Sequence, residues 1–412
     1  MKIWIATGGT GGHVFPAMAV ASELAAMGHR ITISSDGRAW DMVKKELGRA
    51  ARPLAADHDS ARRACAPYQP RMAFVWASGV GAKSKIRQVA SLFEIGVSAV
   101  ALILRFMIFR PDRVVGFGGY SSVPAVLAAR VWKIPTFSHE QNAAIGRAQK
   151  FTLRWVDTLM TSFPVVAGIG ERKTKDEKRK TLPKFAGKPP TQKELKIVYT
   201  GLPVRKEFTD FGMSGGVGLS RTDPRATLGQ SRPTKSGSDF RLLVTGGSLG
   251  ATILDEVVPS SIILLPSSMK KKLFVVHQTR SENVEKLNRA YVKMGVRANV
   301  LHFIRDMAGE MRAADLVIGR SGASTVVELQ TIGKPAILVP LGINPDQAAN
   351  AAAFAKSGGG FNVPQPEFTA KWAAATVAEL FENPARLKKM AAAAHVPNHA
   401  VENIVKVVTA QR

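Results

Sequence analysis

Residues 1–35 read MKIWIATGGTGGHVFPAMAVASELAAMGHRITISS. Lys2–Thr7 is an apolar run with the length of a short buried strand, a glycine-rich loop follows, and Pro16–Met27 repeats its apolar residues at helical spacing. Gly28 closes that helix, and Arg30–Ser34 is the next strand. A strand, a helix and a strand at this spacing form a βαβ unit, which requires parallel strands.

The same grammar recurs along the chain. Arg113–Val115 is a strand leading into Gly116-Phe117-Gly118-Gly119, and Thr136-Phe137-Ser138 is another. Composition then shifts. Residues 171–193 hold nine basic and three acidic residues with prolines at 183, 189 and 190, and Thr209–Ser238 is rich in Gly, Ser and Thr. Both read as insertions, with Lys196–Arg205 as an ordered bridge between them. The pattern then restarts: Phe240–Thr245 is a strand, residues 246–250 a loop and Ala251–Val258 a helix. Leu273–His277, Val300–Phe303, Leu316–Ile318 and Ala336–Val339 follow as strands. A chain of 412 residues exceeds one ordinary core. The expected fold class is therefore α/β, with two Rossmann-like, doubly wound parallel-sheet domains facing a central cleft. The boundaries are 1–203 for the first domain and 204–396 for the second, with the 397–412 helix returning to the first. Ligands of such sheets sit at the carboxyl ends of the strands.

Lys and Arg number 57 against 31 Asp and Glu, a formal charge of +26. A surplus of that size attracts a polyanion, either nucleic acid or an anionic membrane leaflet. One cysteine, Cys65, allows no internal disulfide and fits a reducing compartment. The amino terminus has too short an apolar run for a secretory signal. Ile95–Leu104 is charge-free but about half the length of a membrane span, and Arg105 and Arg110 close it; it reads as a buried or interfacial helix.

Gly8-Gly9-Thr10-Gly11-Gly12-His13 joins a strand to a helix. Its glycines admit a ligand to the backbone, and the helix amino terminus offers N–H groups to an anion such as a phosphate. The run fits neither the dinucleotide fingerprint nor the P-loop. Gly246-Gly247-Ser248-Leu249-Gly250 repeats the arrangement. Arg320-Ser321-Gly322-Ala323-Ser324-Thr325 is a third strand-to-helix junction, with Glu328 one turn on. A carboxylate there can accept both ribose hydroxyls, or simply face solvent. His139-Glu140-Gln141-Asn142 follows a strand and suggests a site; the alternative is a polar loop with Asn142 as a helix cap. Asp57-His58-Asp59 has a metal-holding D-x-D form but no strand before it, and no His and Cys cluster has zinc spacing. No metal and no cofactor is expected.

Taken together, these stretches resemble glycosyltransferase family 28. The matching blocks are Gly8–Pro16, Gly116–Tyr120, His139–Asn142, Gly201–Arg205, Gly246–Gly250, Phe303–Met307, Arg320–Glu328 and Gln347–Ala351, in family order. The resemblance implies a GT-B fold and transfer of N-acetylglucosamine (GlcNAc) from UDP-GlcNAc to the C4 hydroxyl of lipid I, giving lipid II in peptidoglycan synthesis. It implies that Ile304 receives the uracil through its backbone and Glu328 the ribose, and that Ser248 and Arg205 contact the diphosphate. Ala323, Ser324, Thr325, Val326, Val327 and Gln347 would line the GlcNAc site, and Thr10, Gly11, Gly12 and Asn142 would complete the donor side. Gly116, Gly118, Gly119 and Tyr120 would meet the acceptor pyrophosphate. Leu202 stands where the family usually has Asn, Asn344-Pro345-Asp346 varies the usual D-x-Q, and both insertions lack a counterpart in compact members.

The family inverts the anomeric carbon, so a base must take the acceptor's proton. His13 is the candidate; its other role is to fix the loop. Expected partners are UDP-GlcNAc, lipid I, an anionic membrane surface, and other proteins of cell-wall synthesis and division. The expected location is the cytoplasmic face of the inner membrane, held peripherally. Lys83, Lys85 and Arg87, leading into Ile86, Val89, Leu92 and Phe93, form the candidate membrane contact. The rivals are a diacylglycerol glucosyltransferase, a nucleotide-sugar epimerase and a basic nucleic-acid-binding protein. Few aromatics lie among the basic residues to stack bases, so nucleic acid is not an expected partner.

Overall fold

The structure, a computed structural model, describes residues 1–9, 11–50, 70–77, 85–168, 195–209, 239–247 and 250–410. The chain divides into unit 1, Met1–Arg205 with Asn398–Arg412, and unit 2, Lys206–Pro397.

Unit 1 begins with β1 (Lys2–Ala6), α1 (Gly11–Ala26), β2 (Arg30–Ser35), α2 (Gly37–Ala50), β3 (Arg71–Phe74) and α3 (Lys85–Ile108). It continues with β4 (Arg113–Gly116), α4 (Val123–Val131), β5 (Thr136–Glu140), α5 (Arg147–Thr152), β6 (Thr158–Thr161) and β7 (Lys196–Tyr199). The seven strands are parallel in the order β3-β2-β1-β4-β5-β6-β7. In β1, Ile3 to Ala6 are buried without alternation, because helices cover both faces of a parallel sheet. Ile3 and Ile5 pair in register with Ile31 and Ile33 and pack with Val14, Ala17 and Leu24.

Two boundaries differ from the sequence reading. Helix α1 starts at Gly11, not Pro16, so Gly11, Gly12 and His13 form its first turn and Pro16 lies inside it. A proline six residues into a helix removes only one ladder bond, which packing of Val14, Ala17 and Met18 outweighs. Strand β5 runs on through His139 and Glu140, which pair with Met160 and Thr161 of β6.

Helix α3 also exceeds expectation. It does not stop before Arg105 but runs 24 residues, and Gln88–Ile108 is long and apolar enough to cross a membrane by length and composition, with a third of that stretch buried. Arg105 does not close it because its guanidinium lies 5.5 Å over the Trp4 ring. Ser91, Ile95, Ser98, Ala99, Leu102 and Phe106 form a buried stripe at helical spacing, and Phe106 meets Trp4 edge-on at 4.9 Å. The opposite face is exposed.

Unit 2 begins with α6 (Lys206–Thr209), β8 (Phe240–Thr245), α7 (Thr252–Ile263), α8 (Ser267–Lys272) and β9 (Leu273–Gln278). Next come α9 (Val284–Lys293), β10 (Arg297–Leu301), α10 (Met307–Ala313), β11 (Leu316–Gly319), α11 (Ala323–Ile332) and β12 (Ala336–Leu338). It ends with α12 (Pro345–Lys356), β13 (Gly360–Asn362), α13 (Ala370–Glu382) and α14 (Pro384–Ala394). Its six parallel strands run β10-β9-β8-β11-β12-β13 around a core of Leu242, Val244, Leu254, Val258, Val275 and Ile318. Strand β10 lies upstream of the expected 300–303 because Arg297–Leu301 is the stretch in register with Phe274–Gln278. The last helix, α15 (Ala400–Thr409), belongs to unit 1, where Ile404, Val405 and Val408 join the cluster around β1 and α1.

Candidate functional site

The described residues of all eight motif blocks lie at the carboxyl ends of parallel strands or on the helices that follow them. In unit 1 the loops after β1, β4 and β5 are neighbours, since those strands are adjacent. Gly9 donates its N–H to Asp36 Oδ1 (3.1 Å), and the same oxygen caps α2 by accepting from Ala39 N–H (3.2 Å). Arg38 donates to Asp36 Oδ2 through Nε at 3.1 Å and Nη2 at 2.6 Å. Asp36, buried at the end of β2, thus braces the first glycine loop. The sequence reading missed it; a carboxylate directly after a buried strand was its signal. Thr10 lies outside the described residues.

His13 projects from the first turn of α1 against the β4 loop. A side chain on Gly118 would stand 3.0 Å from His13 Cε1 and Nδ1, and Gly118 holds φ 76°, so glycine is required there twice over. His13 Nδ1 is covered and has no hydrogen-bond partner. Burial pushes the imidazole's pKa down, while the Phe117 backbone and the charge of Asp36 pull it up. His139 is wholly buried, stacks on Phe117 with ring centroids 5.5 Å apart, and meets the Gly201 carbonyl through Nε2 at 2.8 Å. Burial, only partly offset by that bond, lowers its pKa to about 4. It is therefore neutral at working pH, with Nε2–H donating to Gly201.

His139 and Glu140 are strand residues, not part of a polar loop. Glu140 accepts from Asn142 N–H (3.0 Å) and Gly146 N–H (2.8 Å) and so fixes the loop after β5. Asn142 is half-buried and caps no helix; α5 begins at Arg147 after Gly146. Buried Gln149, also missed, ties Ser138 Oγ (2.6 Å) to the His139 carbonyl (2.7 Å). Gly116 ends β4, and Gly119 caps the short turn Tyr120–Ser122, where Ser122 Oγ donates to Gly119 O at 2.8 Å.

In unit 2, Ser248 lies outside the described residues, as do residues 210–238 of one insertion and 171–193 of the other, and Asp57-His58-Asp59. Ile304 is buried, so its backbone is what it can offer, and exposed Phe303 precedes it. Asp306 caps α10 by accepting from Gly309 N–H at 2.8 Å. On α11, Glu328 is buried and does not face solvent. Ser324 and Thr325 are partly open, whereas Val326 and Val327 turn their side chains into the core. Asn344 caps α12 through Asp346 N–H (3.0 Å) and Gln347 N–H (3.4 Å). Gln347 Oε1 accepts from Leu341 N–H (3.0 Å), and its carbonyl accepts from Ser321 Oγ (2.8 Å). Asn350 Nδ2 donates to Ser321 O at 3.1 Å. Gln347 is thereby held beside the amino terminus of α11. Arg320 Nη1 binds the carbonyls of Val339 (3.0 Å) and Pro340 (3.2 Å) and Gln365 Oε1 (3.1 Å), anchoring the end of β12. Arg205 is half-buried in unit 1.

Residues 3–161 match the model of the glycosyltransferase family 28 N-terminal domain, and residues 241–408 that of the family 28 C-terminal domain. The UDP-N-acetylglucosamine–N-acetylmuramyl-(pentapeptide) pyrophosphoryl-undecaprenol N-acetylglucosamine transferase of Methylorubrum populi is 36% identical over 95% of this chain and 92% of its own. The transferase of the same name from Mesorhizobium japonicum is 37% identical over 95% and 90%. The crystal structure of Acinetobacter baumannii MurG superposes with a TM-score of 0.70 at 26% identity, covering 99% of this chain and 98% of that one. UDP-GlcNAc 2-epimerase from Neisseria meningitidis shares the fold at TM-score 0.62 but only 13% identity, over 98% of this chain and 99% of that one.

Proposed function

The chain belongs to glycosyltransferase family 28 and has its GT-B fold, and we propose on that basis that it is a UDP-GlcNAc-dependent N-acetylglucosaminyltransferase that converts lipid I to lipid II for peptidoglycan synthesis. The observation that carries this reading is that the described residues of the family blocks sit at the carboxyl ends of parallel strands or on the helices that follow them, the side of the sheet where such folds bind ligands. Supporting it is the 36% identity to a curated transferase over nearly the whole chain.

Unit 2 takes the donor. The Ile304 backbone meets the uracil, Glu328 accepts from the ribose hydroxyls, and Ser248, together with Arg205 of unit 1, meets the diphosphate. Ala323 to Val327 and Gln347 line the GlcNAc pocket, the two valines through their backbone only. Gln347 Oε1 is already occupied by Leu341 N–H, so its Nε2 serves the sugar. Thr10, Gly11, Gly12 and Asn142 contribute to donor binding from unit 1. The Gly116, Gly118, Gly119 and Tyr120 loop and the free N–H groups of the first turn of α1 take the acceptor pyrophosphate.

The reaction is one in-line displacement. The C4 hydroxyl oxygen of the acceptor sugar bonds to C1 of GlcNAc, the bond from C1 to the phosphate oxygen breaks, and UDP leaves with the electron pair. His13 takes the hydroxyl proton through Nε2, because Nδ1 is covered. Burial keeps the ring neutral and able to accept.

The protein works at the cytoplasmic face of the inner membrane. The exposed face of α3 carries Val89, Leu92, Phe93, Val97, Val100 and Leu104, a contiguous apolar strip of the kind that enters a bilayer interface. The basic residue Lys83 and the side chains of Lys85, Ile86 and Arg87 lie outside the described residues. Other cell-wall synthesis and division proteins are its expected partners.

The test is incubation of the purified protein with radiolabelled UDP-GlcNAc and lipid I. Label is expected in a lipid-linked disaccharide. Transfer to diacylglycerol instead, or epimerisation without any acceptor, would replace the reading.

A further inference from the structure

One charged side chain stands among the donor-side loops of unit 2 with no role so far. The strand order β10-β9-β8 places the loop after β9 between the glycine turn after β8 and the Ile304 loop after β10. Two hydrogen-bonded contacts fix it there. Thr279 N–H donates to the Leu301 carbonyl at the end of β10 (2.9 Å), and Thr245 Oγ1 at the end of β8 donates to Gln278 (2.7 Å). The next residue is Arg280. It is exposed, and its side chain lies against Gly250: a β-carbon there would stand 2.8 Å from Arg280 Cγ and 3.5 Å from its Nε.

The backbone that carries Arg280 is held on both sides by one carboxylate. Asp255, in the first turn of α7, accepts from Thr279 Oγ1 (2.7 Å), Asn283 Nδ2 (3.0 Å) and His277 Nε2 (3.2 Å). His277 is itself fully buried and hydrogen-bonded through Nδ1 to Tyr291 Oη at 2.8 Å. Residues 279 and 283 are thus stapled to the helix that follows the glycine turn, and the short turn Ser281–Asn283 leaves Arg280 at its outer edge.

We propose that Arg280 is a further donor-binding residue, contacting the diphosphate of the uridine nucleotide, and that Asp255 is its positioning residue. This rests on the reading of unit 2 as the UDP-GlcNAc site. A guanidinium matches phosphate oxygens in geometry and charge, and it has no comparable partner on uracil or on a neutral sugar. The loop lies between the segments assigned to the uracil and to the diphosphate, so the phosphates are the anions within its reach.

Calorimetric titration of the full chain with UDP and with uridine separates charge from base recognition. Arg280→Ala is expected to weaken UDP by roughly tenfold or more, the size of a lost charge-assisted hydrogen bond, and to leave uridine unchanged. Arg280→Lys should recover part of the UDP affinity, and the donor KM should rise more than kcat falls. UDP affinity unchanged in Arg280→Ala overturns the proposal. So does an equal loss for uridine and UDP, which would mark a structural residue. A wild-type protein that binds neither nucleotide overturns the donor site itself, a distinct result from either.

Discussion

Single side chains carry the sharpest consequences. Glu328 is buried on α11, so its carboxylate left water on folding, and it is the residue proposed to accept from the ribose hydroxyls. Glu328→Ala is expected to raise the donor Kd by about 2 kcal/mol, while an unchanged donor KM would remove the ribose role. His13 turns its covered Nδ1 toward Gly118, and Nε2 is the nitrogen proposed as the base. His13→Ala should lower kcat by roughly 10²-fold with the donor KM nearly constant; survival of activity in a folded variant would make the ring a loop brace. His139 yields a pH prediction. Its folded pKa is about 4, against about 6.5 in an unfolded chain, so the unfolded state takes the proton first. Its contribution to stability is therefore complete above about pH 6.5 and is lost as pH falls toward 4, at no more than about 1.4 kcal/mol per pH unit. His139→Gln can keep a donor to the Gly201 carbonyl but does not titrate. Urea unfolding of both proteins across that range should show a flatter profile for the variant, and superimposable slopes would contradict the assignment.

Elements were legible where one local rule governed them. The βαβ start, the strands of unit 2 and the glycine junctions follow from short apolar runs punctuated by turn residues. Boundaries failed where the rule was local and the answer was not. Glycines at 11 and 12 read as loop, yet the helix includes them because its next turns pack on β1 and β2. Arg105 read as a stop, yet Trp4, a hundred positions earlier, accommodates its charge. The braces at Asp36 and Asp255 were invisible because their partners lie far along the chain: Gly9 is 27 positions from Asp36, and Thr279 is 24 from Asp255. Helix α3 shows what this costs in function. Read as ten apolar residues it is a fragment; as 24 residues with one face buried it presents an apolar strip from Val89 to Leu104 on its exposed side, with half-exposed Glu94 at its margin as the one charge within that span. A cavity of about 380 Å3 lined by Phe74, Trp76, Leu104, Ile108 and Phe109 continues that strip toward β3. Substituting exposed Leu92 and Phe93 with Glu removes two side chains worth about 1.5–3 kcal/mol each on full burial. Sedimentation with anionic liposomes should show much weaker binding. Turnover of a lipid-linked acceptor should fall while that of a soluble short-chain analogue stays. Equal sedimentation would take α3 out of membrane docking.

At the scale of the whole chain, the path leaves unit 1 after Arg205 and re-enters it at Asn398. Three consecutive carbonyls just before the exit are each held by a side chain of unit 1: Thr200 O by Asn403 Nδ2 at 3.2 Å, Gly201 O by His139 Nε2 at 2.8 Å, and Leu202 O by Asn398 Nδ2 at 3.0 Å. The exit and the return are thus fastened to one another within unit 1, next to the arginine assigned to the diphosphate. Helix α15 adds an apolar contribution, since Ile404 and Val408 are wholly covered and Val405 nearly so, against Val14, Ala17 and their neighbours. Burial of three such side chains is worth on the order of 5 kcal/mol, which is comparable with the net stability of a domain. Ending the chain at Pro397 is therefore expected to destabilise unit 1 although it removes only residues at the far carboxyl end. Unit 2 keeps its own sheet and its core around Leu242 and Val275 and should persist. Hydrogen exchange resolves the two outcomes. Amides of β1, β2 and α1 should lose protection in the truncated protein, while those of β8, β9 and β11 exchange as before, and calorimetric UDP binding should be weakened far less than transfer to lipid I. Unaltered protection in β1 and α1 would show that α15 is dispensable to the unit it packs on; loss of protection in both units alike would show that the two fold as one.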